Sequence, residues 1–223
     1  MDAVFQSTSQ ALHVAFLVMA QPVREKNTFR LALIQIMEMQ EKLTPRQRIW
    51  LNQLIGDPSE STVNFAGLGM DDVRAQCAVV VSAVRTKLPD IERWAVLARY
   101  GQLGDERAPD GTKRFFFLRE RSEAIQSLST WLAPSFDGIS VLVLDCLLAR
   151  RYANHTKVDS SFRDLAKAFG GNHMTYKRAH DKIGARIREA EARAEGILTP
   201  YFEETGLIEP RETGVSEESP AFN

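Results

Sequence analysis

Apolar residues fall three and four positions apart along most of the chain, the spacing that gathers side chains on one face of an α-helix. In residues 10–40, Leu12, Phe16 and Met19 form one such face and Phe29, Leu33, Ile36 and Met37 a second; Gln21-Pro22 between them predicts a helical hairpin. Thr44 as N-cap and Pro45 at the first helical position open another helix, which buries Trp50, Leu51 and Leu54 and stops at Gly56-Asp57-Pro58. Residues 59–70 read as a loop. Val73, Cys77, Val80, Val81 and Val84 then predict a helix over 71–87, closed by Leu88-Pro89, and a further helix follows over 90–100.

Residues 101–113 read as a turn-rich link, least structured over 104–111, while Arg114-Phe115-Phe116-Phe117-Leu118 fits either a short strand or the entry to a helix. Residues 120–133 are helical, Pro134 breaks the pattern, and 139–152 form an apolar helix carrying Leu142 and Leu148. No segment alternates strongly in the manner of a strand, so the expected class is mainly α: a multi-helix N-terminal part followed by a C-terminal helix-turn-helix. The expected division is a helical N-terminal domain over 1–100, a linker and connecting helix over 101–138, a DNA-binding module over 139–198, and a disordered acidic tail over 209–223.

Residues 161–180 carry the functional expectation. A first helix, capped by Ser160 or Ser161, would bury Phe162, Leu165, Ala166 and Phe169, with Ala166 small where a second helix crosses. Gly170 permits a left-handed backbone at the helix end, and Asn172 suits the N-cap of the next helix, read over 173–195. That helix places Tyr176, Ala179, Ile183 and Ile187 on one face, so Thr175, Lys177, Arg178 and Lys182 point away from the core. A helix presented in this way can enter the major groove, its N-terminal residues on base edges and its flanking cations on phosphates. His173, Thr175, Lys177 and Arg178 are the candidate base contacts; Lys167, Lys182 and Arg186 are the candidate backbone contacts.

The run Leu165-Ala166-x-x-Phe169-Gly170-x-Asn172-x-x-Thr175-Tyr176-x-Arg178 resembles the bacterial helix-turn-helix pattern. Together with the preceding Leu147-Leu148-Ala149-Arg150-Arg151-Tyr152, it is similar to the region-4 module of sigma factors. The arrangement resembles phage and prophage late transcription regulators, antiterminator-like proteins among them. Gly171, where the pattern usually has an aliphatic residue, and Tyr176, larger than the usual Val, depart from it. The likeness covers residues 139–193, about a quarter of the chain, and implies regulation of transcription on double-stranded DNA, with RNA polymerase as partner and no cofactor. A shorter echo, Ile91 to Tyr100 against Leu148 to Tyr152, reads as chance repetition of a helical motif before a second, degenerate sigma-like module running on through Arg114 to Trp131.

Charge sharpens this picture once it is counted by region. The whole chain carries −1, yet residues 150–193 hold eleven Lys or Arg against five Asp or Glu, while 194–223 hold seven Glu and one Arg. A basic module followed by an acidic tail fits modulated nucleic-acid binding, and equally a tail that serves solubility. Cys77 and Cys146 stand apart and the four histidines are scattered, so neither a disulfide framework nor a zinc site is expected, and both thiols read as reduced core residues in a cytoplasmic protein. The apolar run 14–20 is too short for a membrane span. No Gly-rich phosphate loop, GxSxG or HExxH occurs, so no enzymatic activity is expected.

The remaining conspicuous residues have plainer readings. His13 reads as a core histidine, His155 as part of a solvated turn, Asp71-Asp72 as a helix start, and Glu203-Glu204 as a solvated pair. Trp94, Trp131 and Phe115 to Phe117 read as core aromatics before base-stacking platforms. The N-terminal part is expected to serve homo-oligomerisation or partner contact. Two alternatives stay open: a helical adaptor that binds protein alone, and a phage DNA-packaging or replication component.

Overall fold

The computed structural model describes residues 3–20, 69–107, 109–111, 113–153 and 161–210. The second half of the expected 10–40 hairpin, the helix from Thr44, nearly all of the 59–70 loop, His155 and the tail from residue 211 lie outside the described residues. The fold is mainly helical. The described elements run α1 (Thr8–Ala20), α2 (Met70–Lys87), α3 (Asp90–Tyr100), β1 (Leu103–Arg107), β2 (Lys113–Phe117), α4 (Arg119–Leu132), α5 (Val141–Tyr152), α6 (Phe162–Phe169) and α7 (His173–Glu204). No described helix is long and apolar enough to cross a membrane.

One elongated helix organises these elements. Tyr176, Ile183, Ile187, Ala190, Ala194, Leu198 and Phe202 are all buried along α7, a stripe of three- and four-residue steps that runs past α6 and α5 and on to α3, α1 and α2. The stripe outlasts the expected end near residue 195. Gly196 and Pro200 weaken the helix locally, but Leu198 and Phe202 are fully buried, and burying two large side chains offsets the roughly 3 kcal/mol that an interior proline costs. Beyond α7, the Leu207 carbonyl accepts from the Phe5 amide at 2.9 Å, and Phe5 forms a parallel bridge with Ile208. The two ends of the described chain thereby close on each other over the buried Phe5 and Phe202.

Two buried carboxylates fasten α3 to α7. Glu92 accepts from Arg193 at 2.6 Å and Glu191 from Arg99 at 2.8 Å; both carboxylates are about nine-tenths buried while the arginines reach half into solvent. The Tyr152 hydroxyl of α5 also donates to Glu191, at 3.4 Å. Burial, reinforced by the Glu191 charge, pushes the Tyr152 phenol far above its usual range, so it stays protonated and remains a donor.

The link over 101–113 is a β-hairpin in place of the expected loose connection: β1 pairs antiparallel with β2, Leu103 opposite Phe117 and Arg107 opposite Lys113. The open reading at Arg114 to Leu118 resolves as strand. Gly104 lets the Phe116 ring lie across it: a Cβ there would sit 2.4 Å from the ring, which would have to move aside. Phe115 and Phe116 are exposed, contrary to the core reading, whereas Phe117, Trp94 and Trp131 pack against the core. His13 is exposed as well, edge-on to Tyr100 at 6.3 Å, because Leu12 and Phe16 take the buried face of α1 and His13 falls beside them. Leu142 is likewise exposed, one position before the buried pair Val143-Leu144. Asp71 and Asp72 do open α2, with Asp72 accepting from the Gly69 amide at 3.1 Å.

Arg121 is the least expected core residue, only 5% exposed. Its guanidinium donates to the carbonyls of Ala98 at 2.8 Å, Gly101 at 2.9 Å and Tyr152 at 3.1 Å, and lies over the Phe117 ring. These acceptors are orphan carbonyls at the ends of α3 and α5, so one side chain caps two helices from inside. Burial pulls its pKa down to about 10, leaving it charged at neutral pH. Arg121→Met should therefore cost about 3 kcal/mol or more in urea unfolding, since the shorter apolar chain leaves buried carbonyls without donors. An unchanged midpoint would mean that water satisfies those carbonyls.

Candidate nucleic-acid interface

α6 and the start of α7 are joined by Gly170, Gly171 and Asn172. Ser161 accepts from the Asp164 amide at 3.2 Å while Asp164 accepts from the Ser161 amide at 3.0 Å, a reciprocal box that starts α6. The Ser161 hydroxyl also donates to the Asp164 carboxylate at 2.5 Å, and this bond, with that from the Ser161 amide, holds the carboxyl below its usual range. Gly170 and Gly171 both take φ of +81°, and Asn172 caps α7 by accepting from the Met174 amide at 2.9 Å.

The two departures from the usual pattern work together. Tyr176 is buried beneath the turn and its hydroxyl donates to the Gly170 carbonyl at 2.7 Å. Gly171 takes a left-handed conformation that an aliphatic residue would strain, and a Cβ there would lie 3.6 Å from that same hydroxyl. A tyrosine reaching up to a two-glycine turn thus supplies by hydrogen bonding what an aliphatic residue in the turn would supply by packing.

α6 is held more lightly than expected. Only Leu165 is buried; Phe162 and Ala166 are half-buried and Phe169 is 42% exposed. The helix has eight residues, and its last side chain stands where the chain turns away from α7. Phe162 packs edge-on to His180 at 5.4 Å, and the Arg150 guanidinium of α5 lies over its other neighbourhood, 4.6 Å from the ring centroid.

Of the residues read as base contacts, His173, Thr175, Lys177 and Arg178 are all exposed on the first two turns of α7. Lys177, Arg178 and Lys182 have no ion-pair partner among the described residues, so their charges face solvent. Lys167 is exposed on α6 and borders a cleft of about 430 Å³ together with Arg163, Ala166, Gly171, Asn172 and His173. Arg163 was not singled out from the sequence; its position four residues before Lys167, on the side of α6 away from Leu165, is the signal that marks it. Arg186 differs from the rest because it donates to the Ser135 hydroxyl at 2.6 Å, which ties it to the turn after α4.

No protein-family model matches the chain, and no curated protein matches it in sequence.

His180 gives this region a pH dependence. Burial first, then the nearby Arg151 charge, lowers its pKa, and its Nε2 is buried without a hydrogen-bond partner among the described residues. The fold therefore favours the neutral ring. The unfolded chain takes up the proton first, so stability is complete above about pH 6.5 and falls as pH drops below that value. Melting from pH 8 to 5 should show this loss in the wild type and less of it in His180→Gln. Parallel curves for the two proteins would assign the acid sensitivity elsewhere.

Proposed function

We propose that this protein is a sequence-specific DNA-binding regulator of transcription of bacterial or phage type, which reads double-stranded DNA with the first turns of α7 and acts together with RNA polymerase. The observation that carries the reading is the set of unpartnered cations Lys177, Arg178 and Lys182, exposed at the start of a capped helix that follows a three-residue turn. Such a helix fits the major groove with its N-terminal residues on base edges. Three cations on the solvent-facing side of one helix raise the local positive potential, and the phosphate backbone is the partner that complements it.

The roles divide by position. Arg178 lies near the outermost line of α7 and is assigned to a base edge, with His173, Thr175 and Lys177 around it. Lys182, one turn further on, and Lys167 on α6 are assigned to phosphates. Arg186 contributes to the backbone only by releasing Ser135.

Selection of bound fragments from a randomised DNA pool tests this directly. The intact protein should enrich a defined motif that Lys177→Ala, Arg178→Ala and Lys182→Ala, combined, fails to enrich. Arg178→Ala alone should relax preference at one base position by about 1–3 kcal/mol, and Lys182→Ala should weaken all sequences equally. If no motif is enriched and no DNA is retained at low salt, the chain is a protein-binding adaptor instead.

A further inference from the structure

The middle of α7 holds a second cationic arrangement that the reading above does not use. Gly184 is buried within the helix, where glycine is the poorest helix former after proline. The position its Cβ would occupy lies 2.8 Å from a terminal nitrogen of Arg151, on the last turn of α5, and 3.6 Å from a terminal nitrogen of Arg188, one turn along α7. Two guanidinium groups from different helices therefore converge on one point of bare backbone. Neither has an ion-pair partner among the described residues.

The neighbouring carboxylates are committed elsewhere. Glu191 is taken by Arg99 and Tyr152, and Asp181 is turned out, 70% exposed, beside His180. His180, one turn before Gly184, is kept neutral by its burial and by the Arg151 charge. Two like charges brought together without a counter-charge repel, and an oxyanion with several acceptor oxygens reverses that repulsion into charge-assisted hydrogen bonds.

The geometry points to a phosphate-binding seat formed by Arg151 and Arg188 over Gly184, with the glycine present to admit the Arg151 guanidinium. The ligand is a phosphoryl oxyanion. It comes either from the backbone of the DNA that α7 reads, in which case the assignment rests on the proposed function, or from a free phosphorylated small molecule, in which case it does not.

Gly184→Ala separates the seat from the fold. The new methyl meets only the flexible ends of arginine side chains, and alanine is the best helix former, so the variant should melt at or above the wild-type temperature while displacing the Arg151 guanidinium. The full chain is titrated with inorganic phosphate and, separately, with a mixed-sequence DNA duplex, following the side-chain Nε–Hε NMR signals of Arg151 and Arg188. Phosphate should shift both signals saturably, and Gly184→Ala or Arg188→Gln should weaken that binding roughly tenfold or more. A duplex that moves the same signals identifies the DNA backbone as the source, and phosphate acting where the duplex does not identifies a free molecule. The seat is overturned if phosphate leaves both signals unmoved, or if a folded Gly184→Ala binds it as the wild type does. Duplex binding that depends on Arg178 and Lys182 but leaves Arg151 and Arg188 undisturbed would keep the proposed function and remove its backbone contact here.

Discussion

The structure depends on the burial of one continuous stripe along α7. From Tyr176 to Phe202 the helix keeps apolar side chains on a single line, and every other described α-helix packs on it directly except α4, which packs on α3 and α5. The N-terminal half of the stripe carries α6 and α5; the C-terminal half carries α3, α1 and α2. A helix that would fray as an isolated recognition element is thus anchored over its last five turns, and its exposed first turns inherit that rigidity. On the proposed function, preorganisation of this kind would lower the ordering cost of binding, because the cations are already held in line.

Polar groups in the core serve the same end. Glu92 and Glu191 accept from arginines that reach in from the surface, and Arg121 satisfies the carbonyls at the ends of α3 and α5. Each completes backbone or charge that helix packing has buried. They fix the angle at which α5 meets α7, and so bring Arg150 to Phe162 and Arg151 to Gly184. The basic pair at the end of α5, conspicuous in the sequence beside the helix-turn-helix, is placed by this packing.

Much of the site was legible because its signals are local. Ser161 with Asp164, Gly170, Asn172 and the Tyr176-to-Ile187 spacing act within a few residues, and each does what its chemistry demands. What escaped depends on distant partners. The hairpin was obscured because Leu103-Gly104-Asp105-Glu106-Arg107 has turn-like composition and becomes a strand only by pairing with Lys113 to Phe117. Arg121 sits in a charged run, Arg119-Glu120-Arg121, and nothing nearby distinguishes it from a surface residue until the ends of α3 and α5 arrive. The continuation of α7 through Pro200 follows from Leu198 and Phe202 finding a core contributed by the start of the chain. Phe169, apolar and in phase, was read as buried, yet a helix of only eight residues has no further turn to cover it.

On the proposed function, the exposed start of α7, held by its buried end, is the surface that meets DNA. Amide hydrogen exchange with and without a mixed-sequence duplex at low salt tests it most directly. Exchange is expected to slow across 162–182 on binding, while 190–202 is already slow in the free protein and stays so. Slowing confined to the 103–117 hairpin, with α6 and the first turns of α7 unchanged, would contradict it.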